Sequence, residues 1–146
     1  MTVVAAAWQA ALAAEQRAVF GYGVLGPHLS DGDGQLAVAC SDAHEGLRDA
    51  TAQAIASAGL TPVAPQADYP DLYPVATAAA ARALAMRLED GCAAAWRYLY
   101  LEAASSAADR ELRPAAQQGL TASAVRAARW RALSTPNRPT TPFPGT

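Results

Sequence analysis

Four stretches of the chain repeat apolar residues at helical spacing. In the first, from about Val4 to Leu29, the residues Trp8, Leu12, Glu15, Val19, Tyr22, Gly26 and Leu29 recur at alternating steps of four and three. Such a register lays them on one stripe of an α-helix. The second, from about Gln35 to Ala58, carries Leu36, Cys40, His44 (or Ala43), Leu47, Thr51, Ala54 and Ala58 at the same spacing, with Gly59 as its stop. The third, from about Ala76 to Ala104, places Ala85, Glu89, Cys92, Trp96, Leu99 and Ala103 on one stripe, with Leu84, Leu88 and Ala95 beside it. The fourth starts somewhere in Asp109–Glu111, with Asp109 as the N-cap, and runs to about Leu133. Pro114 and Gly119 predict an irregular start or a kink there.

The connections differ in kind. Gly26-Pro27 ends the first helix, and the Ser30–Gly34 stretch SDGDG reads as a turn, which makes the first pair an antiparallel hairpin. Leu60–Thr77 instead carries Pro62, Pro65, Pro70 and Pro74, which forbid both helix and central strand. As extended chain it reaches roughly 50 Å, more than the roughly 38 Å length of a 25-residue helix. It therefore reads as an ordered end-to-end crossover pinned by Tyr69, Leu72 and Tyr73. Two antiparallel hairpins joined by one long crossover is the connectivity of a ferritin-like four-helix bundle. The expected organisation is an all-α domain over 1–134, with the crossover near 60–75, and a Pro-rich extended tail over 135–146 that Phe143 could dock.

Composition narrows the function classes. The chain has 146 residues, 52% of them hydrophobic and 16% charged, enough apolar matter for one core and too little charge for disorder. About a quarter of the residues are alanine, which favours helix. A net charge of −2 argues against nucleic acid and membrane surfaces as partners. All 11 basic residues are arginine. The N-terminal stretch lacks a basic leader, and Glu15, Gln16 and Arg17 interrupt its apolar run, so neither an export signal nor a membrane span is expected. Cys40 and Cys92 form no CxxC and read as buried thiols, so the expected location is cytoplasmic.

Four phrases carry a family likeness: AALAAEQRAVFGYGVLG from Ala10, DAHEGLRDA from Asp42, RLEDGCAAAWRYL from Arg87 and AVRAARWR from Ala124. Together with the Pro-rich crossover and the TPFPG end, the chain resembles the ferritin-like domain-of-unknown-function family of actinobacteria. The resemblance implies a ferritin-like fold and no established activity.

Ferritin-like carboxylate proteins hold two metals with a Glu on each of two helices and Glu-x-x-His on the other two. Here the first helix supplies Glu15 and the third Glu89, both on stripe. The second offers His44 and Glu45, but Arg48 stands three residues after Glu45. After Glu111 the chain contains no Asp, Glu, His or Cys. A two-metal site cannot be assembled from this set. Axial levels instead match Glu15 with Arg48, and Glu89 with a fourth-helix arginine. The expectation is a buried charge layer, a vestigial metal site, of Glu15, His44, Arg48, Glu89 and Arg126 or Arg129, in which ion pairs replace metals.

The remaining motifs are bland. His28 reads as a surface cap, and Tyr98, Tyr100, Trp96 and Trp130 as core and interface aromatics. The arginines around Trp130 fall on different helix faces. GYGVLG lacks both the spacing and the preceding strand of a dinucleotide fingerprint. The leading reading is a structural or protein-interaction module with no catalytic residue and no cofactor. It forms a homodimer, because apolar content exceeds what an Ala-rich bundle hides, and an unidentified protein partner is possible. The alternative is a mononuclear iron or other transition-metal redox enzyme using Glu15, His44 and Glu89. A third reading is a small-ligand pocket under the crossover, lined by Tyr69, Tyr73 and Trp96.

Overall fold

The computed structural model describes residues 2–146. Among them are four long helices and no strand: α1 Val3–Leu25, α2 Asp31–Ser57, α3 Ala78–Ala104 and α4 Arg113–Ser134. Thr2 and Thr77 cap α1 and α3 by accepting the amides of Ala5 and Ala80, each at 3.1 Å. Each satisfies one of the donors a helix start leaves unpaired. SDGDG proves to be mostly helix. The chain turns at Gly26–His28, a short 3-10 segment, and α2 begins at Asp31. Asp31 and Asp33 then lie in the first turn, where the helix dipole favours negative charge.

Packing follows an ordered neighbour scheme: α1 lies against α2 and α3, and α3 against α4. The α3–α4 pair is antiparallel, with Asp90 against Arg131, Glu89 against Arg126 and Tyr100 against Arg113. Gly119 of α4 is where Trp96 of α3 inserts: a Cβ there would lie 2.4 Å from the indole. Its absence is a packing requirement, and the irregular start expected there is a 3-10 segment ahead of α4. Asp109, the expected N-cap, heads a short 3-10 turn over Arg110–Leu112 and makes no side-chain cap. On α2 the buried residues are Ala37, Cys40, His44, Thr51 and Ile55, a narrower face than the stripe predicted, with Ala54 and Ala58 exposed. This helix leans on α1 and leaves a cleft towards α4.

The crossover is ordered and fastened by α1. Gln9 grips it twice, donating to the Thr61 carbonyl and accepting from the Val63 amide, both at 2.8 Å. Gln16, two turns on, donates to the Val63 carbonyl at 2.8 Å. Arg17 pairs with Asp71 and lies over the Tyr69 ring. Tyr69 and Leu72 are buried as expected, whereas Tyr73 is half exposed and pins little. In the tail, Phe143 is 75% exposed and does not dock. Gly145 does: at φ +79° it lies so close to α3 that a Cβ would meet the Ala93 carbonyl at 2.6 Å.

Two apolar clusters fill the interior. One gathers Tyr22, Leu25, Leu72, Leu84, Leu88 and Trp130, and the other Val4, Ala7, Ala11, Trp96, Leu99 and Ala116. Neither includes Glu15, His44 or Glu89, which are nonetheless fully buried.

Candidate functional site

Three helices each deliver one fully buried polar residue to a common layer: Glu15 from α1, His44 from α2 and Glu89 from α3. His44 bridges the glutamates. Its Nδ1 lies 2.6 Å from Glu15 Oε2 and its Nε2 3.0 Å from Glu89 Oε1. Both ring nitrogens face carboxylate oxygens, which accept and do not donate when ionised, so the geometry calls for the imidazolium with two N–H groups. Burial by itself lowers the His44 pKa. The hydrogen bonds and charges of Glu15 and Glu89 outweigh it and push the value up to about 9.

The fourth helix closes the layer with Arg126. Its Nε donates to both Glu89 oxygens, at 3.1 and 3.0 Å, and Nη2 reaches Ser123 Oγ at 3.3 Å. Two carboxylates and two cations make a layer of zero net charge. Paired burial of this kind avoids the several kcal/mol that a lone buried ion costs.

Aromatic donors complete the layer. Tyr22 O–H donates to Glu89 Oε1 at 2.6 Å, and Trp130 Nε1–H donates to the Tyr22 oxygen at 2.8 Å. Trp96 Nε1–H donates to Glu15 Oε1 at 2.7 Å. Tyr22 also stacks on His44, with ring centroids 5.5 Å apart. Burial first, and Glu89 second, hold the Tyr22 phenol well above its usual pKa. Cys92, three residues after Glu89, points to the Glu15 side of the layer, and burial pushes its thiol up.

The spacings are reciprocal between the two hairpins. Glu15 and Tyr22 are seven apart on α1, as are Glu89 and Trp96 on α3, and each aromatic serves the other helix's glutamate. Ser41-x-x-His44 on α2 is matched by Ser123-x-x-Arg126 on α4. Sequence reasoning held Tyr22 and Trp96 on their stripes without enrolling them in the layer. The seven-residue interval from each glutamate was the signal.

Of the residues expected in the layer, Glu15, His44, Glu89 and Arg126 meet there. Two do not. Arg48 is part-exposed and pairs with its neighbour Asp49 at 2.8 Å. Matching axial level did not bring it inward, because its side chain points to the α1–α2–crossover groove. Arg129 is exposed, almost a full turn from Arg126 but on the solvent side. The Glu15, His44 and Glu89 trio of the metal alternative does not converge on one point, since the glutamates occupy opposite ring nitrogens. The expected small-ligand pocket also divides. Tyr69 lines a groove of about 450 Å³ with Gln16, Phe20, Arg48 and Val63, Tyr73 lines another, and Trp96 floors the α2–α4 cleft. His28 is exposed, as expected.

Residues 7–146 match the family described as a domain of unknown function, DUF4439. The chain belongs to this family. A crystal structure of a conserved hypothetical protein, Rv2844, from Mycobacterium tuberculosis superposes with a TM-score of 0.80 at 34% identity. The match covers 90% of this chain and 96% of that one. No curated protein matches. The DUF4439 description assigns no activity, and no helix among the described residues is long and apolar enough to cross a membrane.

Proposed function

We propose that this DUF4439 chain is a ferritin-like bundle, of the actinobacterial kind its sequence resembles, whose metal layer has become an ion-pair layer, and that it serves in the cytoplasm as a structural or protein-interaction module. The observation that carries the reading is the double engagement of His44 by Glu15 and Glu89. In the ferritin-like pattern a pair of metals draws Glu from two helices and Glu-x-x-His from two others. Here serine stands at both Glu-x-x-His glutamate places and arginine at one histidine place, in Ser41-x-x-His44 and Ser123-x-x-Arg126. The Trp96, Tyr22 and Arg126 donors all aim at the two carboxylates. A set of inward donors does not fit a two-metal centre, which needs open lone pairs. The two cations do the neutralising that metals do elsewhere.

Exposed apolar surface supports the interaction role. Apolar side chains stand exposed on all four helices, among them Val3, Val38, Tyr98, Leu101, Val125 and Leu133. A second copy of the chain is the simplest cover for such surface. Metal analysis tests the reading. Protein purified in the presence of chelator should fold cooperatively while carrying well under one iron, manganese or zinc per chain. Two metals held per chain, or a stripped chain that no longer melts cooperatively, would overturn it.

A further inference from the structure

We propose that the Glu15–His44–Cys92 corner of the buried layer is a binding site for one divalent cation of the zinc class. The three residues come from α1, α2 and α3, all are buried, and one ligand atom of each lies within 4.8 Å of the others. Carboxylate oxygen, imidazole nitrogen and thiolate sulfur form a mixed donor set that suits zinc and cobalt, not magnesium or calcium. This goes beyond the scaffold role, and it uses Cys92 in place of Glu89.

The residues behind these ligands are already arranged as metal ligands require. Glu89 Oε1 accepts from His44 Nε2–H at 3.0 Å, which leaves Nδ1 to face the metal. Trp96 Nε1–H holds Glu15 Oε1 at 2.7 Å, which leaves Oε2 free to coordinate. A carboxylate behind a ligating histidine and a donor behind a ligating carboxylate orient both groups and tune them. His44 Nδ1–H now donates to Glu15 Oε2 at 2.6 Å. Bond lengths of about 2.0–2.3 Å to a tetrahedral ion put ligand atoms about 3.2–3.8 Å apart. The pair therefore opens by less than about 1 Å, and the Cys92 thiol, which now donates to the Ala14 carbonyl at 3.5 Å, turns to the ion from within the same 4.8 Å cluster.

The charge balances as well. On binding, His44 releases its Nδ1 proton and Cys92 its thiol proton to solvent, and one dication takes their place. The net charge of the buried layer is the same before and after. Arg126 pairs with Glu89, the partner of the other ring nitrogen, His44 Nε2. Tyr22 also donates to Glu89 on that side. The cleft between α2 and α4, about 640 Å³, has Leu47, Thr51 and Trp96 in its walls, and Trp96 is the donor to Glu15.

Cobalt(II) is the probe, added to chelator-stripped full chain. The expected result is one equivalent bound, with a near-ultraviolet thiolate-to-cobalt absorption band that zinc displaces. Cys92→Ser should abolish the band, Cys40→Ser should keep it, and Trp96→Phe should keep it while weakening binding about 10–100-fold. Thermal melts show that each variant is folded. No cobalt uptake by folded wild-type chain, or a band that survives Cys92→Ser, overturns the site and leaves the scaffold reading standing. A chain that unfolds when stripped of metal defeats the scaffold reading instead.

Discussion

Tyr22 and Trp96 hold reciprocal places in the interior: each lies seven residues beyond a buried glutamate on its own helix and hydrogen-bonds the glutamate of the other helix. α1 and α3 are thereby locked in a single register. A slide of one helix past the other would part Glu15 from the Trp96 donor and Glu89 from the Tyr22 donor. Removing the Trp96 donor by Trp96→Phe should cost about 1–3 kcal/mol in denaturant melts. A change below about 0.5 kcal/mol would show that Glu15 does not depend on it.

Glu15 and Arg48 should behave oppositely, although their axial levels match. Glu15→Ala leaves the His44 cation without its closest partner and should destabilise by about 3–5 kcal/mol. Arg48→Ala removes a part-exposed arginine paired only with Asp49 and should change stability by less than about 0.5 kcal/mol. Urea melts of the two single variants and the double variant read both values. A coupling energy above about 0.5 kcal/mol would return Arg48 to the layer.

His44 predicts the pH dependence. Its folded pKa is raised to about 9, from an unfolded value of about 6.5. Below the unfolded value both states hold the proton, and the stabilisation is fully present. Between the two values the unfolded chain releases a proton that the native chain keeps, so stability falls as pH rises, by about 3 kcal/mol in all. Melts at several pH values from 6 to 9.5 should show this fall, and His44→Gln should flatten it. A wild-type profile that is flat or rises across that interval would mean His44 is neutral in the fold.

Gly119→Ala sets two effects against each other. Helix propensity favours alanine by about 1 kcal/mol. The new Cβ, however, would lie 2.4 Å from the Trp96 indole, a group held by its bond to Glu15. Overpacking of this kind costs about 1–3 kcal/mol, so the variant should melt at lower denaturant than wild type. A stabilised variant would show that Trp96 yields easily.

Assembly is the remaining expectation. Sedimentation at micromolar concentration should report a dimer. A single 15.0 kDa species across a wide concentration range would refute it.

Much of this was written in local pattern. The alternation of three and four placed Glu15, Cys92, Trp96 and Glu89 on inward stripes, because a helix repeats its face every 3.6 residues whatever surrounds it. The prolines of Leu60–Thr77 excluded α-helix there for an equally local reason, the missing N–H and fixed φ, and left only a 3-10 turn at Pro70–Leu72. A domain-of-unknown-function family was also legible in the quoted phrases, and the DUF4439 match bears out that much. Which charges meet was a different matter. Axial level is set along one helix, but partner choice depends on rotation about two helix axes and on the space between them. Arg126 reaches Glu89 because α4 packs tightly on α3, with Gly119 yielding to Trp96. Arg48 and Arg129 occupy suitable heights and point elsewhere. The tail shows the same division: Phe143 had the docking chemistry, yet Gly145 made the contact, since only a residue without a Cβ fits against the Ala93 carbonyl. Elements and their faces follow from interactions within a turn or two of chain. The identity of the neighbours across them follows from packing, which no single helix encodes.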